Sequence, residues 1–314
     1  MSLLKLGSRG SPLALTQSQN VKNLLEKSGN NTVEIIVIKT VGDVKLNSLF
    51  HEIPGKGVFT RELDEALLKG RIDLAVHSLK DLPTELPKGL RLSATPERVD
   101  PRDVLVSKRG REVSLSSLPA GSRVGTSSIR RAAMLLALRS DLKPSPIRGN
   151  VDSRIRRLDE GEYDALILAG AGLIRLGMAD RVSEWIEWDS WLNSPGQGAL
   201  GIVIREKDKK TDGFLKSIHC SSSHTAVAAE RAFLGALGGG CEVPIAAGCV
   251  KHGLHLRLKG IVVSADGSKM VKGDITGASK DPVALGEKLA EELVQKGADL
   301  LLKELAQDTV FPGM

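Results

Sequence analysis

Residues 3–38, LLKLGSRGSPLALTQSQNVKNLLEKSGNNTVEIIVI, contain the pattern that decides the fold. An apolar run at 3–6 is followed by a turn rich in glycine and serine, by a stretch over 12–27 that opens with Pro12, and by a second apolar run at 33–38. A strand, a helix and a strand in this order are typical of a parallel α/β unit. The opening residues therefore predict an α/β protein.

The same alternation continues along the chain and then changes. A helix over 60–69 and a strand over 72–77 follow, and prolines at 83, 87, 96 and 101 mark a crossing into a second segment. That segment is predicted to hold strands at 103–107, 122–125, 164–169 and 200–204 and helices at 129–139 and 152–160. From about residue 211 we expect a helix over 224–237, strands over 254–263 and 269–275, and one long C-terminal helix.

Composition excludes several classes of protein. A chain of 314 residues suggests two or three domains, and 41% hydrophobic with 26% charged residues is ordinary for a globular protein. The N-terminus lacks a basic segment, and the longest apolar run, 165–174, is far short of the ~20 residues of a membrane helix, so we expect neither export nor membrane insertion. The three cysteines form no C-x-x-C pair and have no histidine at metal spacing, which favours the cytoplasm and argues against a disulfide framework or a metal site.

The net charge of +6 is local. Residues 121–157 hold nine basic and two acidic side chains, a net +7, so the rest of the chain sums to −1. Aromatic residues are only 3% of the chain, which leaves few platforms for stacked bases and argues against nucleic acid. A small polyanionic ligand is the better partner for this charge.

Two loops have the composition of anion sites. Residues 6–12 and 124–131 each join a strand to a helix through glycine, serine and arginine, and a helix N-terminus offers unpaired N–H groups to phosphate or carboxylate. The alternative is helix capping with solvated arginines. Because each predicted α/β segment has one such loop, we expect an interdomain cleft, to which Arg148, Arg154 and Arg175 would contribute bidentate donors.

Two further motifs carry chemistry. In HSLKDLP at 77–83, Lys80 offers a cation and Asp81 a carboxylate at a strand end, although a surface ion pair worth ~0 to 1 kcal/mol is the alternative. In GGGCEVP at 238–244, three glycines leave Cys241 on a backbone of little bulk, which a large group can approach. A small buried hydrophobe is the alternative for this cysteine.

Together these motifs resemble the porphobilinogen deaminase family, also called hydroxymethylbilane synthases. The resemblance rests on GSRGSPLAL at 7–15, HSLKDLP at 77–83, VGTSSIRR at 124–131, RGNV at 148–151 and GGC at 239–241, and it spans almost the whole chain in the family's order. It implies a transferase of tetrapyrrole biosynthesis. Such an enzyme joins four porphobilinogen molecules head to tail with loss of ammonia and then releases hydroxymethylbilane by hydrolysis.

The resemblance also implies residue roles. A dipyrromethane cofactor, on which the oligopyrrole chain grows, would be bound through a thioether to Cys241, and Asp81 would be the catalytic acid. Lys56 and Phe59 would belong to a mobile loop over the site. The implied binding residues for the pyrrole carboxylates are Arg9, Ser11, Lys80, Ser128, Arg130, Arg131, Arg148, Arg154 and Arg175.

The implied architecture has two α/β domains like those of periplasmic binding proteins around a cleft, with a smaller C-terminal α+β domain. Domain 1 would comprise residues 1–97 and 195–214, domain 2 residues 98–194, and domain 3 residues 215–314. We expect a cytoplasmic monomer that binds no nucleic acid and no membrane. The competing hypothesis is a non-enzymatic anion-binding module of the solute-binding type, which would need neither Cys241 nor Asp81.

Overall fold

The protein is built on three β-sheets with helices packed against them. The computed structural model describes residues 2–29, 31–40, 60–239 and 243–307. The chain divides into two compact units, Met1–Val99 with Gly198–His224 and Asp100–Gln197 with Thr225–Met314.

The elements are numbered in chain order. The strands are β1 (Ser2–Ser8), β2 (Asn31–Val37), β3 (Leu74–Ser78), β4 (Leu90–Ala94), β5 (Asp103–Ser107), β6 (Arg123–Gly125), β7 (Lys143–Ser145), β8 (Ala165–Ala169), β9 (Glu184–Trp185), β10 (Leu200–Arg205), β11 (Ile245–His252), β12 (His255–Val263) and β13 (Met270–Ala278). The helices are α1 (Pro12–Ser28), α2 (Arg61–Leu68), α3 (Ile129–Leu138), α4 (Val151–Asp159), α5 (Gly170–Arg175), α6 (Lys209–Leu215), α7 (Ser221–Ala236), α8 (Pro282–Gln295) and α9 (Ala298–Gln307).

The first unit contains a five-stranded sheet in the order β2-β1-β3-β10-β4. Strand β1 pairs in parallel with β2 and β3, whereas β10 runs antiparallel to β3 and β4. Leu6 of β1 and Ile202 of β10 are fully buried, and Val21 and Leu25 of α1 pack in the same apolar cluster. This core fixes the carboxyl ends of β1 and β3 side by side.

The second unit repeats this arrangement in a sheet of order β7-β6-β8-β5-β9. Here β6 pairs in parallel with β7 and β8, and β5 runs antiparallel to β8 and β9. Strands β1 and β6 thus hold the same position in their sheets, and each leads into the helix that follows a predicted anion loop. The carboxyl ends of neighbouring parallel strands share one sheet edge, where α/β proteins bind ligands.

The predicted α/β class is confirmed, although the two five-stranded sheets are not parallel throughout. Strands β5 and β10 run against their neighbours, so both five-stranded sheets are mixed. The apolar pattern of a strand indicates that it is buried, and it contains no signal for its direction.

The C-terminal region forms an antiparallel sheet, β11-β12-β13, covered by helices. Phe233 of α7, Leu258 of β12 and Leu289 of α8 are fully buried in its core. The single long C-terminal helix that we predicted is two helices, α8 and α9. Gly297 has a φ of +93° between them, a conformation that ends a helix and favours glycine.

This sheet shares apolar contacts with the second α/β sheet. Ile261 and Val263 of β12 lie in one cluster with Met134 of α3 and Trp191. A Cβ atom on Gly267, at the turn after β12, would lie 2.5 Å from the backbone nitrogen of Ala137 in α3. The hairpin of β12 and β13 therefore packs directly on α3. The division into three domains at residues 98, 195 and 215 stays a prediction. Within the described ranges, no helix has the length and apolar character needed to cross a membrane.

Candidate active site

The loop between β1 and α1 forms the first predicted anion site. Ser11 caps the helix: its Oγ accepts a hydrogen bond from the N–H of Ala14 at 3.3 Å, and Pro12 occupies the first helical position. Ser8 accepts a hydrogen bond from Ser18 at 2.8 Å between their hydroxyl oxygens. These contacts fix the loop to the helix, so the N-terminus of a 17-residue helix faces the loop that contains Arg9.

The neighbouring strand end completes a small cavity in the same unit. After β3, residues Leu79–Asp81 form one turn of 3₁₀ helix, which leaves Lys80 half-buried and Asp81 exposed. The cavity is lined by Arg9, Ser11, Leu13, Ala14, Gln17, Thr60, Val76, His77, Ser78 and Asp81. The structure therefore brings the predicted residues Arg9, Ser11 and Asp81 together, although they lie up to 72 positions apart in the sequence.

His77 is a cavity residue to which the sequence analysis gave no role. Its side chain is 6% exposed, and its Nε2 atom is buried without a hydrogen-bond partner among the described residues. Burial and, to a lesser degree, Arg9 lower the pKa of His77 to about 4. The sequence signal that could have identified His77 is a histidine near the end of the otherwise apolar strand LAVHS.

The loop between β6 and α3 is the second predicted anion site. Ser128 caps α3 by accepting a hydrogen bond from the N–H of Arg131 at 3.4 Å, and its own N–H donates to Thr126 Oγ1 at 3.2 Å. A Cβ atom on Gly125 would lie 2.5 Å from Leu166 Cδ2 and 3.0 Å from Tyr163 Cδ1, so a larger residue at this strand end would require these side chains to shift. Both loops thus show capping, and in both the first helical turn faces the sheet edge.

Arg130 and Arg131 lie buried around one shared carboxylate, that of Asp103. Arg130 Nη1 donates to Asp103 Oδ2 at 2.8 Å, and Arg131 Nη2 donates to Oδ1 at 2.7 Å. Trp191 and Gln197 donate to the same carboxylate, each at 2.8 Å. We refer to Asp103, Arg130, Arg131, Trp191 and Gln197 as the Asp103 network. The sequence analysis missed Asp103, Trp191 and Gln197.

The charges in this network determine its protonation. Burial by itself would raise the pKa of Asp103, but the guanidinium groups of Arg130 and Arg131 outweigh it and hold that pKa well below its ordinary value. Burial lowers the pKa of Arg130, and Asp103 partly opposes this shift. The network therefore contains one carboxylate and two guanidinium groups, an excess of one positive charge.

Arg148 and Arg154 follow β7, and Arg175 is the last residue of α5, which follows β8; in the sheet, β7 and β8 lie on either side of β6. Arg154 Nε donates to the carbonyl of Gly149 at 2.8 Å, and Gly149 has a φ of +101° that favours glycine. Burial lowers the pKa of Arg154 to about 10, with a smaller contribution from Arg131, and burial lowers that of Arg175 to about 10. Both side chains stay charged at neutral pH in surroundings that hydrate them poorly.

Other charges of the basic segment have partners away from this edge. Arg139 pairs with Asp141 at 2.7 Å, and Arg157 pairs with Glu162 at 2.7 Å. Arg123 lies over the ring of Tyr163, 5.5 Å from its centroid. The net +7 of residues 121–157 is thus only partly directed at the candidate site.

The chain was compared with known proteins by sequence. Residues 4–213 match the family model described as porphobilinogen deaminase, dipyromethane cofactor binding domain, and residues 224–295 match that of the porphobilinogen deaminase C-terminal domain. The chain belongs to the porphobilinogen deaminase family. It is 46% identical over 300 residues to a porphobilinogen deaminase of Roseiflexus sp. strain RS-1, covering 95% of this chain and 98% of the relative. It is 47% identical over 311 residues to one of Geobacter metallireducens, covering 98% and 96%.

A solved periplasmic binding protein of Salmonella typhimurium, described as highly specific for arginine, is 12% identical, with a TM-score of 0.40 over 69% of this chain and 92% of that chain. The family match is the stronger finding, and it confirms the prediction made from the motifs. Porphobilinogen deaminases are hydroxymethylbilane synthases, transferases that act on porphobilinogen. Their N-terminal part is the domain that binds the dipyrromethane cofactor.

Three of the predicted deaminase site residues, Lys56, Phe59 and Cys241, lie outside the described residues. The structure explains the glycine at each of the two described positions before Cys241 without reference to a bound group. Gly238 has a φ of +67° after the end of α7, and a Cβ on Gly239 would lie 2.7 Å from Ile245. The described cysteines differ in exposure: Cys249 is buried in β11 and Cys220 is half-buried.

Proposed function

We propose that this porphobilinogen deaminase binds the acetate and propionate groups of its pyrroles at the two loop-and-helix sites. We also propose that Cys241 holds the cofactor through a thioether and that Asp81 is the catalytic acid. Carboxylate binding is assigned to Arg9, Ser11, Lys80, Ser128, Arg130, Arg131, Arg148, Arg154 and Arg175. The loop with Lys56 and Phe59 is proposed to cover the site.

The observation that carries this proposal is the unbalanced buried charge around Arg131. Among the described residues, Asp103 is the only acid within salt-bridge distance of Arg130 or Arg131, and no acid lies within that distance of Arg154. A desolvated cation without a counter-ion is costly, and a carboxylate on a ligand would offset that cost.

The residues present fit a dipyrromethane group. The helix N-terminus at Ser128 and the buried guanidinium groups are hydrogen-bond donors, as a ligand with several carboxylates requires. When bound, dipyrromethane supplies the terminal pyrrole carbon to which porphobilinogen is joined. Arg130, Arg131 and Arg154 would hold its carboxylates, and the Asp103 network would hold two of these guanidinium groups in place.

Asp81 is suited to act on the substrate. It shares a cavity with the donors Arg9 and Ser11, which would hold a carboxylate of porphobilinogen. When the bond between the aminomethyl carbon and nitrogen breaks, the nitrogen leaves as ammonia and positive charge develops on the pyrrole. Asp81 would assist proton transfer to the departing nitrogen, and its carboxylate would stabilise the cation left behind.

The intact mass of the purified protein tests the attachment site. We expect the wild-type protein to exceed its sequence mass by two linked pyrroles, and Cys241→Ser to lack this excess, because only the thiolate sulfur can form the thioether. Cys220→Ser and Cys249→Ser serve as matched controls and should keep the excess. A Cys241→Ser protein that still has the extra mass would show that the cofactor is attached to another residue. A wild-type protein that lacks the extra mass, even after porphobilinogen is added, would contradict the proposed function.

Replacing Asp81 tests the proposed acid. Asp81→Asn keeps the shape of the side chain and removes its charge, so we expect the mass of the bound cofactor to be retained and turnover to fall about 10²- to 10⁴-fold, the usual effect of general acid catalysis. Asp189→Asn, at a side chain that is 97% exposed, is the control. Near-normal turnover in Asp81→Asn would exclude the residue from the mechanism.

Several finer expectations belong to the same proposal. A cytoplasmic location, a monomeric state and the absence of nucleic-acid or membrane partners stay predictions. The alternative of a non-enzymatic anion-binding module is not favoured, because both family models that match the chain are those of an enzyme.

A further inference from the structure

His77 has two features of a ligand contact: a buried polar atom without a partner among the described residues and a position in the cavity lining. Buried polar atoms in native proteins are nearly always hydrogen-bonded, because an unpaired one destabilises the fold. The Nε2 atom of His77 is buried and has no partner among the described residues. The side chain is 6% exposed and lines the cavity that also contains Arg9, Ser11 and Asp81.

The size and lining of this cavity indicate what enters it. Its volume is about 70 Å³, enough for a few waters or one short carboxylate arm. One wall is the N-terminus of α1 with its cap Ser11, and Arg9 adds a guanidinium group. These groups favour an anion.

The protonation of His77 agrees with a donor role. Burial, and then Arg9, lower its pKa to about 4, so the imidazole is neutral at neutral pH. A neutral imidazole has one N–H, and next to a carboxylate that proton is best placed on the nitrogen that faces the oxygen. The ring would thus add a donor without adding a second charge beside Arg9.

We propose that His77 Nε2–H donates a hydrogen bond to a carboxylate oxygen of porphobilinogen, held in the cavity by Arg9 and Ser11. His77 is then a substrate-binding residue that positions the aminomethyl group towards Asp81. This inference rests on the proposed role of the cavity in carboxylate binding.

The test compares two substitutions in enzyme whose bound cofactor has been verified by intact mass. His77→Leu fills the site without a donor, and we expect the KM for porphobilinogen to rise about 10- to 100-fold, as for loss of one hydrogen bond to a charged group. His77→Gln places an amide N–H near the position of Nε2 and should recover most of this loss. His255→Gln, at an exposed histidine of β12, is the matched control and should leave KM unchanged.

The substitution Arg9→Leu distinguishes a failure of the inference about His77 from a failure of the proposed carboxylate site. If Arg9→Leu raises KM and His77→Leu leaves it within twofold of the wild type, the inference about His77 is wrong and the carboxylate site stands. If neither substitution changes KM, the cavity does not bind a substrate carboxylate and the proposed function fails at this site.

A second measurement covers the case in which His77→Leu does not fold. In holoenzyme labelled with ¹⁵N-histidine, the His77 signals are assigned by their loss in His77→Gln. We expect the Nε2 signal of His77 to move when porphobilinogen is added, while the signals of exposed His255 stay in place. An unmoved His77 signal would mean that Nε2 does not contact the bound substrate, and it would overturn the proposal.

Discussion

The substitution Asp103→Asn tests the electrostatics of the Asp103 network. The side chain keeps its shape, but the carboxylate charge that Arg130 and Arg131 share is lost. Arg130 and Arg131 are 5% and 7% exposed, so water cannot replace the carboxylate. Two like charges would then face each other across an amide.

The expected loss follows from the contacts that change. Asp103 is fully buried and accepts hydrogen bonds from four different side chains. Removing one partner of a buried ion pair costs about 3–5 kcal/mol, because the remaining charge stays desolvated. An asparagine oxygen can still accept from Trp191, so we place the expected loss of unfolding free energy in that range and not above it.

Tryptophan fluorescence during urea unfolding measures this loss. The three tryptophans, Trp185, Trp188 and Trp191, all lie in the unit that contains Asp103, so their signal reports on that unit. Asp274→Asn, in an exposed pair with Arg257, is the control and should leave the urea midpoint almost unchanged. A loss below about 1 kcal/mol in Asp103→Asn would refute the argument that the buried charges depend on this carboxylate.

The pH dependence of the unfolding free energy tests whether Asp103 stabilises the fold in its ionised form. The pKa of Asp103 is lower in the folded protein than its ordinary value of 3.8. Its contribution to stability is therefore complete well above pH 3.8 and declines as the pH falls below that value, where the unfolded chain takes up a proton. The difference between wild type and Asp103→Asn should shrink by about 1 kcal/mol between pH 6 and pH 3. A difference that is constant or grows towards pH 3 would contradict the assignment.

Three further substitutions test other parts of the structure. Gly267→Ala should lower the unfolding free energy by about 2–4 kcal/mol in the fluorescence assay, because φ is +74° and the new Cβ meets the backbone of α3. Gly253→Ala, whose Cβ would enter open space, is the control and should lower it by about 1–2 kcal/mol. Equal losses would contradict the packing of the hairpin on α3. Arg154→Leu should lose bound cofactor by intact mass, while Arg156→Leu, at a side chain 72% exposed, should keep it; equal retention would remove Arg154 from the site. Glu230→Gln should lower the unfolding free energy by about 1–3 kcal/mol. The carboxylate oxygens of Glu230 accept the backbone N–H groups of Gly196 at 2.8 Å and Cys249 at 2.9 Å, and an amide can accept at only one of its two positions. An unchanged urea midpoint would show that these hydrogen bonds contribute little to stability.

The sequence predicted the elements that have local signals. Strand β5 is found at the predicted residues, and α1 and α3 differ from prediction by one residue at one end, because turn glycines, caps and apolar runs are read from neighbouring positions. Strands β4, β9 and β11 were missed, and β9 has only two residues. The direction of β5 and β10 depends on which strands they meet, so no local pattern contained it.

The candidate site was predictable where a motif kept its residues close together. Lys80 and Asp81 are adjacent, and Arg130 and Arg131 open one helix. Asp103 lies 27 and 28 positions before those arginines, at the first residue of a strand, where an acidic residue is unremarkable in the sequence. Only the fold brings its carboxylate between the two guanidinium groups.

The shared carboxylate would allow one segment to be both stable and suited to the proposed anion binding. If each buried arginine had its own acid, the network would be neutral and would gain little from a ligand. With one acid for two arginines, Asp103 orients both guanidinium groups while, among the residues that the structure describes, one positive charge has no acid beside it. Arg154, desolvated beside Arg131, adds to that charge. A ligand carboxylate would therefore enter a site whose donors are already oriented and whose charge it completes, so little reorganisation is needed for binding.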